Sequence, residues 1–150
     1  ILAHPVGLVL WARRRGEDAW QFPQGGMKTG ETSEEALYRE LHEELGISQH
    51  QVLLLGQTAG WLHYRLPKSL IRARGKKTCV GQKQRWFLLA LNDPSTQPIL
   101  DTTEQPEFDA YQWVSYWYPL GQVIPFKRDV YRQAMKELSP ALRWFEPITC

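Results

Sequence analysis

One segment of the chain, residues 25–47, places three glutamates on one face of a predicted helix. Its sequence is GGMKTGETSEEALYRELHEELGI, in which Glu40, Glu43 and Glu44 stand at positions i, i+3 and i+4. These spacings bring side chains together on a helix, where like charges repel and destabilise it. Carboxylate oxygens are the ligands that Mg²⁺ and Mn²⁺ prefer, so the cluster is a candidate cation site. The alternative is an acidic helix face that only meets solvent.

The same segment predicts where this helix begins and ends. Thr32 is a candidate N-cap, and Glu35 three residues later completes a capping box. Gly46 suits the position just after the last turn, where helices often adopt a left-handed residue. Arg39 lies four residues before Glu43, a spacing that lets the two side chains pair on the helix surface.

The remaining patterns predict an α+β domain. Strands are expected at residues 6–12, 20–22, 51–58, 61–66, 84–91 and 111–114, and loops at 68–78 and 92–106. A final helix is expected from Pro125 to about Leu138, ended by Pro140. Helices separated by most of the strands favour helices packed on a mixed sheet. The 150 residues suffice for one domain, which we place at 1–138, with an unassigned C-terminal tail at 139–150.

Basic residues are unevenly distributed, although the net charge is only +2. From Trp61 to Arg85 the sequence contains eight Lys and Arg but no Asp or Glu. Several of the seven tryptophans and other aromatic residues lie beside basic ones. This combination predicts a polyanionic partner, with nucleic acid favoured over a membrane because no amphipathic anchor accompanies it. Ordinary solvated surface is the alternative.

Two further features bear on where the protein resides. The sequence has no run of 18 apolar residues that would indicate a membrane span. Its two cysteines do not make a disulfide framework. We therefore expect a cytoplasmic protein with no membrane partner.

The pattern in residues 25–47 resembles the Nudix box. Written G-x5-E-x7-R-E-U-x-E-E-x-G-U, with U a bulky aliphatic residue, it specifies nine positions over 23 residues, and the chain matches all nine. Resemblance to the bacterial RNA 5′-pyrophosphohydrolases of this superfamily extends from about Leu8 to Leu138. It includes the segments 20–26, 61–68, 81–88, 106–109, 113–119 and 126–131. The first of these, WQFPQGG, is shared with the diadenosine polyphosphate hydrolases. The resemblance implies the Nudix fold, an α/β/α sandwich with a central mixed β-sheet.

The resemblance also implies roles for individual residues. Two or three Mg²⁺ ions, with Mn²⁺ as an alternative, would be bound by the Gly25 carbonyl and by Glu40, Glu43, Glu44 and Glu107. Glu43 is the first candidate for the base that takes a proton from water, Glu107 is the second, and Arg39 is counted with them.

A second group of residues would line the RNA channel, with a base lying on the ring of Phe126. This group is Arg14, Tyr64, Arg65, Phe126 and Lys127. Packing at the start of the last helix is the alternative role for Phe126, and Tyr64 also has a packing alternative.

The implied reaction removes pyrophosphate from the 5′ end of triphosphorylated RNA, leaving 5′-monophosphate RNA and promoting mRNA decay. One alternative is hydrolysis of diadenosine polyphosphates by the same carboxylates. A second is a Nudix module that binds nucleotide or RNA without cleaving it. The acid-free basic segment favours RNA, and the complete carboxylate set favours an enzyme. The need for a protein activator is left open.

The N-terminus departs from the family pattern. Family members open with two strands joined by a turn, and an arginine before the first strand helps to hold phosphate. In this chain residues 6–10 run directly into Trp11, which predicts one strand without a turn. No phosphate-binding role is therefore assigned to this segment.

Overall fold

The structure, a computed structural model, describes residues 1–74 and 77–142. Its α-helices are α1 Ser33–Leu45, α2 Tyr118–Gln122 and α3 Arg128–Leu142. Its strands are β1 Leu2–Ala3, β2 Val9–Arg14, β3 Trp20–Gln21, β4 Val52–Gln57, β5 Leu62–Arg65, β6 Arg72–Arg74, β7 Lys77–Cys79, β8 Gly81–Gln84, β9 Phe87–Leu91 and β10 Phe108–Val114. Short 3₁₀ turns occupy Gln49–Gln51, Lys68–Leu70 and Pro125–Lys127.

Six of the strands form a central mixed sheet. Their order is β10-β2-β1-β9-β4, and β3 pairs with β2. Strand β1 runs antiparallel to β2 and parallel to β9. The antiparallel pairs β5–β8 and β6–β7 form two separate ribbons.

The two faces of the sheet bury different layers. Along β2, Val9 and Trp11 join a core with α3, whereas Leu10 and Ala12 join a core with α1. This alternation follows from the two-residue period of a strand. The helices thus cover opposite faces, which confirms the predicted α+β sandwich with a central mixed sheet.

A buried aromatic cluster holds the segment that leads into the glycine loop. The ring of Phe22 stacks on Tyr131 at 5.2 Å and meets Trp11 and Trp86 edge-on at 5.3 and 5.8 Å. The backbone N–H of Phe22 donates to Tyr131 Oη at 3.1 Å. Such aromatic pairs contribute about 0.5–1.5 kcal/mol beyond their buried area. The loop after Phe22 therefore leaves the core in a defined direction.

The single N-terminal strand predicted at residues 6–12 is wrong. Strands β1 and β2 form a hairpin with Ala3 opposite Val9. In its turn, the N–H of His4 donates to Leu8 and that of Gly7 donates to His4, both at 2.8 Å. Gly7 adopts a φ of +89°, which favours glycine and reverses the chain inside an apolar run. The two-strand opening of the family is present.

Two further predictions need correction in the second half of the chain. Residues 68–78 were expected to be a loop, but they contain a 3₁₀ turn and strands β6 and β7, with residues 75–76 outside the described part. The strand expected at 84–91 begins later, as β9 at Phe87, and residue 84 is instead the last residue of β8. Helix α2 was not predicted.

Helix α3 continues to Leu142 with Pro140 inside it, so the helix end predicted before Pro140 is wrong. Proline lacks the N–H that would bond to the carbonyl of Lys136. That carbonyl instead accepts a hydrogen bond from Ser139 Oγ at 3.3 Å. The rest of the predicted tail, residues 143–150, lies outside the described residues. Within the described ranges, no helix has the length and apolar character needed to cross a membrane.

Two glycines with similar φ angles but different surroundings test how tightly the C-terminal end of α1 is packed. Gly46 and Gly16 both have left-handed φ angles, +64° and +74°. A Cβ added to Gly46 would lie 2.9 Å from the Cβ of Ile99, whereas a Cβ added to Gly16 would meet nothing within 4 Å. We expect Gly16→Ala to lower the free energy of unfolding by about 1 kcal/mol from backbone strain alone. Gly46→Ala should lower it by about 2–3 kcal/mol because overpacking adds to that strain. Equal losses in urea unfolding would show that the contact with Ile99 is not restrictive.

Candidate functional site

Local sequence sets the position of the acidic face on α1. Thr32 Oγ1 accepts from the N–H of Glu35 at 3.1 Å, as expected of an N-cap. At the other end, the N–H of Gly46 donates to the carbonyl of His42. The predicted helix is therefore confirmed from its first residue to its last.

Arg39 lies at the centre of this acidic face. Its Nε and Nη2 donate to the two carboxylate oxygens of Glu31 at 2.6 and 2.9 Å, and Nη2 also donates to the carbonyl of Gly26 at 2.8 Å. Its Nη1 donates to Glu40 at 2.8 Å and to Glu43 at 3.2 Å. The pairing with Glu43 that the spacing predicts is present, but Glu31 is the bidentate partner. One guanidinium thus ties the glycine loop to α1.

Glu31 is held in its ionised form by these contacts. Donation from Arg39, followed by donation from the backbone N–H of Lys28, lowers the pKa of Glu31 from 4.5 to about 2. The same ion pairs raise the pKa of the Arg39 guanidinium above its ordinary value.

Glu44 is the buried member of the acidic triplet, with 8% of its surface exposed. Burial raises the pKa of Glu44 to about 9. A hydrogen bond with Glu40 and repulsion from Glu40, Glu107 and Glu43 act in the same direction. Glu40, Glu43 and Glu107 therefore lie close enough to Glu44 to oppose its ionisation.

The backbone of Gly25 approaches the same cluster. A Cβ at this position would overlap the carboxyl group of Glu40, so only glycine allows the approach. Carboxylates and a nearby peptide form an oxygen-rich donor set that suits a hard divalent cation. Among the residues that the structure describes, no three His, Cys, Asp or Glu side chains form a complete metal site as they stand; Glu40 and Glu43 are instead hydrogen-bonded to Arg39.

A cleft of about 380 Å³ opens beside the carboxylates. Its lining includes Gly25, Glu40 and Glu44 on one side, and Gln24, Met27, Trp61, Gln82, Lys83, Gln84 and Arg85 elsewhere. Glu43 and Glu107 are not among the lining residues. Glu40 and Glu44 therefore share one cleft with part of the acid-free basic segment.

The acid-free segment predicts a polyanionic partner, but the sequence does not show that three of its residues meet beside the carboxylates. Lys83 Nζ lies 4.9 Å and Arg85 Cζ 5.7 Å from the ring centre of Trp61. All three residues belong to the segment from Trp61 to Arg85, and its lack of Asp and Glu is the sequence signal that points to them.

The predicted RNA-contacting residues divide between two places. The rings of Tyr64 and Phe126 lie 5.8 Å apart at 40°, and Lys127 Nζ lies 5.8 Å from the Tyr64 ring. Burial and then the charge of Arg14 lower the pKa of Lys127, which places Arg14 on the Lys127 side of this group. Arg65 is exposed on the opposite side of β5 from the half-buried Tyr64 and does not join them.

A chain of glutamines connects this second group to the cleft. Tyr64 Oη donates to Gln82 Oε1 at 3.1 Å. Gln84 Nε2 donates to Gln82 Oε1 at 3.0 Å and to Gln24 Oε1 at 3.3 Å, while Trp86 Nε1 donates to Gln84 Oε1 at 2.9 Å. These hydrogen bonds orient the side-chain amides of Gln82 and Gln84 on the face of β8 that carries Tyr64.

Comparison with known proteins gives the family. The sequence matches the NUDIX domain over residues 3–142. The chain belongs to the Nudix family. It is 60% identical over 141 residues to a protein of Marinomonas sp. named RNA pyrophosphohydrolase. The aligned region covers 94% of this chain and 88% of that protein. The chain is 58% identical over 142 residues to a Pseudomonas aeruginosa protein of the same name, with 95% and 89% covered.

Solved Nudix structures share the fold at lower identity. The E. coli dihydroneopterin triphosphate pyrophosphohydrolase has a TM-score of 0.68 at 24% identity, covering 91% of this chain and 93% of that one. A C. elegans Ap4A hydrolase in a binary complex has a TM-score of 0.66 at 18% identity, with 93% and 94% covered. Nudix hydrolases need divalent metal ions, in keeping with the oxygen donors that converge here.

The ion pair between Glu31 and Arg39 predicts a pH dependence of stability. Because folding lowers the pKa of Glu31 to about 2, its contribution is present above pH 4.5 and is lost as pH falls through about 2. Glu31→Gln should therefore reduce stability at pH 7, and its difference from wild type should shrink between pH 4.5 and 2. Urea unfolding across this range measures the difference, with Glu34→Gln on the exposed first turn as the matched control. A gap independent of pH would contradict the assignment.

Proposed function

We propose that this Nudix domain removes pyrophosphate from the 5′ end of triphosphorylated RNA, leaving 5′-monophosphate RNA and so promoting mRNA decay. The observation that carries the proposal is the shared cleft, in which carboxylates stand near the basic and aromatic side chains of an acid-free segment. Relatives 58–60% identical over most of the chain are named RNA pyrophosphohydrolase, which supports the same substrate here.

Hydrolysis of a triphosphate develops negative charge on the leaving oxygen. Two or three Mg²⁺ ions, or Mn²⁺ in their place, would neutralise that charge and orient the attacking water when bound. We assign their binding to Gly25, Glu40, Glu43, Glu44 and Glu107.

The protein side chains have separate tasks in this proposal. Glu43, whose side chain is 43% exposed, is the first candidate to accept the proton from water, and Glu107 is the second. Arg39 acts as a positioning residue, because it donates hydrogen bonds to the carboxylates of Glu40 and Glu43 and so fixes their orientation.

The second group of predicted residues would contact the 5′ nucleotides. The Tyr64 and Phe126 rings offer apolar faces on which a base can stack. Arg14 and Lys127, which lie beside them, would meet backbone phosphates. We assign Arg65 to a different surface because of its opposite orientation on β5.

The chain as a whole is proposed to be one cytoplasmic Nudix domain. The family match over residues 3–142 and the packing of α3 on the sheet support a single domain that includes residues 139–142. Cytoplasmic residence agrees with an RNA substrate and with the exposed free thiol of Cys79.

The direct test compares two substrates with and without cation. Purified protein with Mg²⁺ should convert 5′-triphosphorylated RNA to 5′-monophosphate RNA faster than it cleaves diadenosine tetraphosphate, and EDTA should abolish both. Preference for the dinucleotide would assign the cleft to diadenosine polyphosphates. Tight RNA binding without product would indicate a non-catalytic module, and full activity in EDTA would rule out the metal assignment.

Substitution of Phe126 is expected to affect RNA substrates more strongly than small nucleotides. Phe126→Ala removes a stacking face worth ~1–3 kcal/mol, so kcat/KM for triphosphorylated RNA should fall about tenfold or more. Hydrolysis of a nucleoside triphosphate, which has no second base, should change much less. Tyr118→Ala, an exposed aromatic on α2, is the matched control. Equal losses on both substrates with a lower melting temperature would identify Phe126 as a packing residue.

A further inference from the structure

The ribbon formed by β5 and β8 has two different faces. In its register His63 lies opposite Lys83 and Tyr64 lies opposite Gln82. Alternation along β5 leaves Leu62 and Tyr64 half-buried and turns His63 and Arg65 outward. We call the outward side the outer ribbon face.

The outer ribbon face is basic and carries one large aromatic ring. Trp61 is 39% exposed, and Lys83 and Arg85 lie over its ring at 4.9 and 5.7 Å. The face consists of Trp61, His63, Arg65, Lys83 and Arg85. No Asp or Glu occurs in the sequence between Trp61 and Arg85. Cations grouped around an exposed aromatic ring are the combination by which proteins hold single-stranded nucleic acid.

The loop that presents Trp61 is held in place. Thr58 is buried with 1% exposed, and its N–H donates to the Trp86 carbonyl while its Oγ1 accepts from the Trp86 N–H. The N–H of Ala59 donates to Glu137 of α3 at 2.8 Å. Because these bonds order the loop before any partner arrives, the ring is preorganised for contact.

The outer ribbon face is continuous with the catalytic cleft. Trp61, Lys83 and Arg85 line the same cleft as Glu40 and Glu44. The group around Tyr64 and Phe126 lies on the other side of the ribbon, so the two sets of side chains offer separate contacts to one strand.

We propose that the outer ribbon face binds the single-stranded RNA that follows the 5′-terminal nucleotides of the substrate. This inference rests on the proposed function and adds a second contact region to it. Trp61 stacks on a downstream base, and Lys83, Arg85 and Arg65 meet the phosphates of that part of the strand. The domain thereby gains affinity from RNA length, which a mononucleotide or a dinucleotide does not supply.

The proposal is tested by binding without cleavage. Affinities are measured in EDTA for a 5′-hydroxyl RNA of about ten nucleotides and for a triphosphorylated dinucleotide. Trp61→Ala should weaken binding of the longer RNA about tenfold relative to the dinucleotide. Trp117→Ala, which removes another exposed tryptophan, should leave the ratio as in wild type.

Salt dependence gives an independent measurement. Each phosphate contact to a single strand contributes about 0.7 to the slope of log affinity against log salt. Lys83→Ala should therefore reduce the slope for the longer RNA by about 0.7, whereas Lys136→Ala on α3 should not change it.

Three outcomes would overturn the proposal. Equal weakening of both ligands by Trp61→Ala would place the ring in the triphosphate-binding cleft. If Trp61→Ala weakened binding of neither ligand, the outer ribbon face would be assigned to another partner, such as an acidic protein. An unchanged salt slope for Lys83→Ala would show that Lys83 does not contact a phosphate. Because the 5′-hydroxyl RNA cannot be hydrolysed at a triphosphate, these results stand even if the proposed activity fails.

Discussion

Repulsion within the acidic triplet of α1 is the constraint on which the rest of the site depends. Three carboxylates at i, i+3 and i+4 destabilise a helix when nothing opposes them. In this fold Arg39 opposes them through Glu40 and Glu43, and Glu31 holds Arg39 in a bidentate pair. Because Arg39 also binds the carbonyl of Gly26, the glycine loop and the acidic face form one unit.

The sheet supplies the other half of this arrangement. The stacking of Phe22 on Tyr131 anchors the chain just before the glycine loop, and α1 packs on the opposite face of the sheet from α3. The carboxylates of α1 are thus fixed by a layer that does not contain the side chains proposed to contact RNA. In the proposed function, substrate contacts come from the ribbon β5–β8 and from the start of α3, so that chemistry and recognition would rest on separate elements.

Features encoded by neighbouring residues could be predicted, and features that depend on pairing across the chain could not. Helix α1 was predicted to the residue because Thr32 and Gly46 are local signals. Tyr64 and Arg65 were grouped because they are adjacent, but strand alternation turns them to opposite faces. To predict that Lys83 and Arg85 lie over Trp61, one needs the register of β5 against β8, which the sequence pattern does not specify.

Other errors arose where one signal outweighed another. The apolar run at the N-terminus concealed the turn between β1 and β2, in which Gly7 has a positive φ. Pro140 was taken as a helix end, but Ser139 satisfies the carbonyl that proline leaves without a donor. The relative positions of Glu40, Glu43 and Glu44 were predictable because these three residues share one helix.

The most direct test of the central claim is the hydrolysis rate of Glu43→Gln measured beside its thermal stability. If the acidic face serves catalysis and not folding, the rate with triphosphorylated RNA and Mg²⁺ should fall by ~10²-fold or more. The melting temperature should stay near that of wild type, since an exposed carboxylate among like charges adds little stability. Glu34→Gln on the same helix should keep wild-type activity. Turnover like that of wild type by Glu43→Gln would contradict the account.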